Sequence, residues 1–230
     1  MFYHDLIMIN LVFVDSELET IPVEMQKERD VLAIARKRGK PVEEMVLDSS
    51  IMHRAIDRVF PGESNRRGRP DVFHIMLNVA QSSILNLLGM LRVYILTRNS
   101  DLIEISPVTR IPKNYARFLG LVEDLYKKGE IKSDRDTLLR IRKNIVLKQF
   151  IDSLGGKKIL LDPLGEHKKP SEIFQGVRDC TIVIGGFANG TFRSDLSFIE
   201  DKISIYPEEL TIWTIAAEII CQCERDFDLA

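Results

Sequence analysis

The sequence predicts an α/β protein in which a mainly parallel sheet is covered by helices. Leu6–Val14 is an almost uninterrupted apolar run with β-branched residues, the pattern of a strand buried on both faces. After Gly155-Gly156, short strands and helices alternate with brief connections, as they do where parallel strands are joined by crossovers. Apolar helical patterns over Val72–Leu88 and from about Glu208 to Glu224 supply the covering layer.

Taken in order, the elements each have a local cause. Asp15 or Ser16 offers a helix cap, with Glu19 three residues beyond Ser16 as in a capping box. Val23–Arg38 is amphipathic at helical spacing and is stopped by Gly39 and Pro41. A short helix over Ser50–Phe60 precedes the polar loop Pro61–Pro70, and Asp71 can cap the helix Val72–Leu88, which ends near Gly89. Leu91–Thr97 and Leu102–Ile105 are β-rich and flank Arg98-Asn99-Ser100-Asp101, so they form a hairpin. The next helix starts after Pro112 and carries Phe118, Leu121, Val122 and Leu125 on one face. Residues 129–150 read as a charged helical excursion. Strand Lys158–Leu161, helix Ser171–Val177, strands Cys180–Ile184 and Lys202–Ile205, and the closing helix with Trp213 as a packing or dimer-contact residue complete the chain.

With 230 residues, 45% hydrophobic and 29% charged, the chain suits one large domain or two small ones. A formal charge of -2 argues against non-specific coating of nucleic acid, yet charge is unevenly distributed. Arg110 to Lys148 holds eleven basic against five acidic side chains, a net of +6, which suits a directional polyanion site. Cys180, Cys221 and Cys223 have no zinc-ligand spacing; Cys221 and Cys223, on one helix, point about 200° apart. No secretory pattern precedes them, so buried, reduced thiols in a cytoplasmic protein are expected. No apolar run reaches the ~18 residues of a membrane span, so no membrane partner is expected. His4, His53, His74 and His167 have neither metal spacing nor a nucleophile partner and read as structural, so no metal is expected.

Gly185-Gly186 follows the apolar strand Cys180–Ile184 directly, and Gly190 closes the same loop. Glycines at the carboxyl end of a parallel strand let backbone approach a ligand, although alone they also suit a tight strand exit. The G-G-x-x-x-G order, late in the chain, is not a dinucleotide fingerprint. Arg110, Lys113 and Arg117 are spaced i, i+3, i+7; on a helix after Pro112, Lys113 and Arg117 share a face that Arg110 reaches from the preceding turn. Cations at a helix N-terminus are locally unfavourable unless an anion such as phosphate sits among them. Arg69 and Asp71 flank Pro70, which stiffens their turn; Arg66 and Arg67 add charge beside them and read as phosphate neighbours.

Four segments, Gly68-Arg69-Pro70-Asp71, Arg110 to Phe118, Ile184 to Gly190 and Ile203 to Pro207, together resemble the pseudouridine N1-methyltransferase family of ribosome biogenesis, a branch of the knotted SPOUT methyltransferases. The resemblance covers nearly the whole chain, roughly residues 5–225. It implies a single SPOUT-like α/β domain over 1–230, with a parallel sheet, helices on both faces and a C-terminal deep trefoil knot. It also implies a homodimer whose active sites form across two subunits. RNA-contacting elements would occupy about 61–150 and the knotted, cofactor-binding region about 157–225.

The same resemblance assigns S-adenosyl-L-methionine as cofactor and small-subunit rRNA as substrate, methylated at N1 of a pseudouridine. Leu161, Gly185, Gly190, Ile203, Ser204, Ile205, Tyr206, Pro207, Glu208 and Leu210 would form the cofactor pocket, with Asp162 beside its third wall. Arg69 would contact the substrate nucleotide, Asp71 would hold Arg69 in place, and Arg110, Lys113 and Arg117 would meet rRNA. Two departures stand out. Lys113 replaces a common arginine and so loses the planar fork. Gln81-Ser82-Ser83 stands where relatives usually carry Asp-Ser-Pro. The alternative is a ribosome-assembly RNA-binding protein with weak or absent methyl transfer; the intact glycine loop with Arg69, Asp71 and Arg110 favours catalysis.

Overall fold

The computed structural model describes residues 7–174 and 179–229; His4, residue Leu6 of the first predicted strand, and residues 175–177 of the predicted helix Ser171–Val177 lie outside them. Eight strands form one sheet: β1 (Met8–Ser16), β2 (Leu91–Thr97), β3 (Leu102–Ile105), β4 (Glu130–Lys132), β5 (Thr137–Arg142), β6 (Lys157–His167), β7 (Asp179–Gly185) and β8 (Asp201–Ser204). Their order is β4-β5-β3-β2-β1-β7-β6-β8. From β2 to β8 every neighbour is parallel, whereas β3, β5 and β4 add an antiparallel wing.

The period of two decides which residues fill each side of this sheet. Ile9, Leu11 and Phe13 of β1, with Cys180, Ile182 and Ile184 of β7, face the larger core, while Val12, Val14 and Val183 face the smaller one. Helices α3 (Pro70–Gln81), α5 (Tyr115–Lys128) and α8 (Ile212–Asp226) pack on the large side, α3 directly against α8. The other face is covered by α6 (Leu147–Ser153) and the segment holding Leu196 and Ile199. A satellite core lies between α1 (Arg29–Arg38) and α2 (Ser49–Val59).

Several sequence expectations are corrected. Residues 23–25 form only a 3₁₀ turn, so the predicted helix Val23–Arg38 is reduced to α1. Val72–Leu88 is split into α3 and α4 (Ile84–Leu87), because the Ser83 hydroxyl donates to Ala80 O and accepts from Asn86 N, ending one helix and capping the next. Residues 129–150 hold the strands β4 and β5 and only the start of α6: Leu139 and Ile141 turn inward while Arg140 and Arg142 turn out, and β5 pairs with the edge of β3. The closing helix starts at Ile212 rather than near Glu208, leaving 205–211 irregular. Within the predicted helix Ser171–Val177, α7 (Pro170–Ile173) forms the described part. Cys180 and Cys223 are buried, and burial pushes the Cys180 thiol up to about 12, but Cys221 is exposed.

No helix starts at Ser16. Asp15 takes φ 54°, and its carboxylate accepts from Arg193 N (2.6 Å), Ser194 N (3.0 Å) and Ser194 Oγ (2.6 Å). Ser16 Oγ donates to Phe13 O instead of capping, and Glu19, the expected capping-box acid, is buried beside Glu17 in an ionic cluster. Glu17, wholly buried, accepts from Arg66 Nε (2.7 Å) and Arg98 Nη1 (2.9 Å). Glu19 accepts from Arg67 Nε (2.6 Å) and Nη2 (3.1 Å), and Glu63 lies 3.0 Å from Arg98 Nη2. Burial pushes the Glu63 carboxyl up, but Arg98, Arg193 and Arg67 outweigh it and hold its pKa below the ordinary value.

Removing one partner of such a buried pair leaves guanidinium charge without compensation. Glu17→Ala should therefore lower unfolding free energy by about 3–5 kcal/mol in urea titration. Glu28→Ala, which breaks only an exposed pair with Arg58, should leave the midpoint nearly unchanged.

Candidate active site

Because β1, β7, β6 and β8 run parallel, their carboxyl ends share one edge of the sheet, where ligands bind open α/β folds. Three features meet that edge: the Arg69 loop at β1, the glycine loop at β7, and a cleft at β6 and β8.

The cleft is open to solvent, with about 280 Å³ of space between Leu161-Asp162-Pro163 and the stretch leaving β8. Of the residues that the resemblance assigned to a cofactor pocket, Leu161, Ile203, Ser204, Ile205, Tyr206, Glu208 and Leu210 line this cleft; Pro163 and Ile215 also line it, and Pro207 does not. Ile203 pairs with both Leu161 and Glu166, so β6 bulges outward around the cleft between those partners. Among the described residues, Ile205, Tyr206, Glu208, Glu209 and Leu210 donate no backbone hydrogen bond. Apolar walls beside unspent N–H groups suit a flat heteroaromatic with a polar edge, the shape of adenine. Asp162 and Glu208 are the only titratable groups lining the cleft apart from Tyr206, so it offers little chemistry beyond binding.

Gly185 and Gly190 lie outside that lining. Gly185 ends β7, and a Cβ there would stand 2.7 Å from the Phe187 ring. Gly186 approaches β1 most closely: its N donates to Val14 O (2.6 Å), its O accepts from Glu17 N (3.0 Å), and an added Cβ would meet Ser16 at 2.0 Å. Gly190 has φ 96°, a conformation that side chains resist.

Arg69 and Asp71 form a bidentate pair, Nε–Oδ1 2.9 Å and Nη2–Oδ2 2.8 Å. Arg69 is the N-cap of α3 and Asp71 lies in its first turn, so Asp71 does not cap the helix as expected. The loop before them turns through Gly68 at φ 66°, packed on Leu47, whose carbonyl lies 3.3 Å from where its Cβ would be. Arg69 N donates to Glu17 O (3.1 Å), and Ser49 N donates to Gly68 O (2.8 Å), so β1 and α2 both fix the turn.

Two links near the pair were not legible in sequence. Asp48 caps α2 through Ser50 N (2.9 Å) and accepts from the Tyr115 hydroxyl (2.8 Å). Burial, then this acceptor, pushes the Tyr115 phenol well above its ordinary pKa, so it stays a donor. His74, one turn beyond Asp71, approaches Pro112 O at 2.7 Å, and its ring stacks on Phe118 at 4.9 Å. The Asp-Ser-Ser cap pattern was a visible signal for Asp48, but its second oxygen's partner is distant in sequence.

Arg110, Lys113 and Arg117 are all exposed, and none has an ion pair among the described residues. They do not share one helix, because Asn114 caps α5 by accepting from Arg117 N (3.0 Å), leaving Arg110 and Lys113 in the preceding strap. Most other cations of the basic stretch are neutralised locally, for example Lys127–Glu44, Lys132–Glu130, Arg142–Glu104 and Lys143–Asp101. Arg66 and Arg67 are likewise committed to Glu17 and Glu19, against the expectation that they neighbour phosphate. No metal-binding group of acidic, His and Cys side chains occurs among the described residues.

His74→Phe keeps the ring against Phe118 but removes the bond to Pro112, so it should cost roughly 0.5–1.5 kcal/mol of stability. Faster amide exchange confined to residues 110–116 should accompany that loss; exchange unchanged there would mean His74 does not hold the strap.

The chain matches the family model of the EMG1/NEP1 methyltransferases over residues 11–224. It is 50% identical over 223 residues to the ribosomal RNA small subunit methyltransferase Nep1 of Thermoplasma volcanium, covering 96% of this chain and 100% of the relative. The enzyme of the same name from Thermoplasma acidophilum is 48% identical over 219 residues, with 95% and 98% covered. The crystal structure of Archaeoglobus fulgidus Nep1 bound to S-adenosylhomocysteine superposes with a TM-score of 0.84 at 29% identity, covering 95% of this chain and 98% of that one.

Proposed function

The chain belongs to the EMG1/NEP1 methyltransferase family, and on that premise we propose how its own residues carry out the reaction. The protein is an S-adenosylmethionine-dependent methyltransferase of small-subunit rRNA, acting in ribosome biogenesis. The target is N1 of a pseudouridine. Only that isomer has a free N1–H where uridine has its glycosidic bond, so only it presents this nucleophile. The exposed, unpaired Arg110, Lys113 and Arg117 beside the Arg69–Asp71 pair carry the reading.

S-adenosylmethionine supplies an electrophilic sulfonium methyl. Leu161, Ile203, Ile205 and Leu210 would hold its adenine through apolar walls, with backbone amides from 205–210 meeting the polar edge. Arg110, Lys113 and Arg117 grip the phosphate backbone and set register. Arg69 fixes the unstacked target base, as RNA-modifying enzymes require. Asp71 orients Arg69 through both oxygens, and the N1 proton passes to water as N1 takes the methyl. In-line displacement then relies on holding N1 near the methyl, and positioning of this kind supplies much of the rate. The segment from β8 to α8 is threaded as a trefoil knot, and two chains associate so that each active site draws on both. Exposed Ile75, Leu87 and Leu88 on α3 and after it support such a contact. The working compartment is the cytoplasm, where the rRNA is assembled.

Calorimetry with S-adenosylhomocysteine, followed by methyl transfer to matched uridine and pseudouridine hairpins, tests the reading. Transfer to both hairpins, or to neither, would defeat it. Ala at Arg110, Lys113 or Arg117 should flatten the salt dependence of RNA binding by roughly 0.7 in log–log slope per lost contact to single-stranded phosphate. A wild-type slope in all three variants would make these cations merely solvated.

Asp71→Asn separates orientation from proton removal. If Asp71 only orients Arg69, turnover should fall modestly and at all pH values alike. A base at this position would instead cost on the order of 10²–10⁴ in rate, with the loss shrinking as pH rises and N1 ionises unaided. That second outcome, with RNA affinity intact, would reassign the residue.

A further inference from the structure

Arg66 stands in the loop that leads to Arg69, yet its side chain is spent toward the other half of the molecule. Nε donates to Glu17 Oε1 at 2.7 Å and Nη1 to Thr191 O at 2.6 Å. The guanidinium lies 4.0 Å over the Phe187 ring, and Nη2 is enclosed where no solvent reaches it and no partner meets it. The side chain is only 14% exposed. An arginine in this state has at most one Nη1 hydrogen left for a phosphate. Its neighbours are also committed to one another: Arg66, Arg67, Arg98 and Arg193 share Glu17, Glu19 and Glu63, four cations on three carboxylates.

The chain it grips is the glycine loop. Besides Thr191 and Phe187, Arg66 limits Gly190, where an added Cβ would come within 3.0 Å of Nη1. Asn189 Nδ2 donates to Asn65 O at 3.0 Å, and Arg193 meets Glu63 at 3.2 Å, so the two loops are stitched along their length. Position makes this consequential. β7 lies between β1 and β6, and strands are about 4.8 Å apart, so the glycine loop spans the roughly 10 Å between the Arg69 turn and the cleft wall. Between Gly186 and Arg193 the loop has few other anchors: Asn189 and Thr191 are exposed, residues 187–200 contain no helix or strand, and the next backbone tie is Asp15, which accepts from Arg193 N and Ser194 N.

We infer that Arg66 is a positioning residue for the cofactor: it holds the glycine loop in its binding-competent conformation and takes no part in gripping RNA. This rests on the proposed assignment of the glycine loop to S-adenosylmethionine. A loop that must be ordered at the moment of binding reduces apparent affinity by the fraction of time it is competent. If loss of the Arg66 anchor leaves it so for about a tenth of the time, the Kd for S-adenosylhomocysteine rises about tenfold. Lysine cannot replace arginine here, because one ammonium cannot bridge Glu17 and Thr191 O while covering Phe187.

The test is calorimetric titration of S-adenosylhomocysteine into the full-length protein, paired with RNA binding across a salt series. Arg66→Gln and Arg66→Lys should both weaken the cofactor analogue, and both should keep the wild-type RNA salt slope. Arg98→Gln serves as the structural comparison, since it removes a second donor from the same Glu17 carboxylate without touching the loop. The inference is overturned if Arg98→Gln weakens the analogue as much as Arg66→Gln, because the effect would then be general loosening. It is overturned equally if Arg66→Gln leaves analogue affinity unchanged or lowers the salt slope by roughly 0.7, the mark of a lost phosphate contact. Gly185→Val, which drives a side chain into Phe187, separates the two layers of the reasoning. Indifference of analogue binding to Gly185→Val would remove the loop from the cofactor site altogether. A sensitive Gly185→Val with an indifferent Arg66→Gln would sink the Arg66 inference alone.

Discussion

The carboxylate of Glu17, at the end of the central strand, is the constraint on which the rest of the active edge depends. It has no exposed surface, and an ionised carboxylate so placed needs cations supplied by the fold. Arg66 and Arg98 supply them from two separate segments, the loop before α3 and the β2–β3 turn. The backbone of the same residue accepts from Arg69 N and donates to Gly186 O. One strand end thus sets the substrate turn and the glycine loop in relation to each other. Such pairs add little net stability over an apolar filling, so their value here lies in fixing geometry.

The same cluster explains how a protein of net charge -2 can present a local cationic surface. What matters for a polyanion is which cations remain uncommitted, and ion pairing sorts them. Buried arginines are consumed by buried glutamates and many surface lysines by nearby acids, while Arg110, Lys113 and Arg117 are among the exposed cations with no ion pair among the described residues. Capping contributes to this sorting. Asn114 satisfies the start of α5, so Arg117 emerges from a completed helix end while Arg110 and Lys113 precede it. The strap carrying those two is tied at Pro112 by His74.

Sequence patterns revealed the sheet's parallel half because burial on both faces writes itself as uninterrupted apolar runs, seen in β1 and β7. The cleft-lining stretch 203–210 and the Arg69–Asp71 unit were legible only through resemblance, since neither spacing nor composition implies a binding cleft. Residues 129–150 misled because their inward positions are few, only Leu139 being buried within the two strands, so period two was drowned by charge. Glu19 looked like a capping-box acid because local spacing cannot reveal that its partner, Arg67, lies far along the chain. Arg66 and Arg67 failed for the same reason. A cation's partner is a tertiary fact, and sequence shows only that the cation exists.

Two kinds of residue therefore share one loop and divide its labour. Arg69 is held by an acid two residues away, in a partly exposed pair that is local in sequence. Arg66 is held by an acid 49 residues away in sequence, and its geometry exists only when β1, β7 and the loop between α2 and α3 are assembled. The first suits a group that must meet a mobile ligand, and the second suits a group that must never move. A loop built this way couples recognition of one ligand to the folded state that binds the other, without any contact between the two ligands.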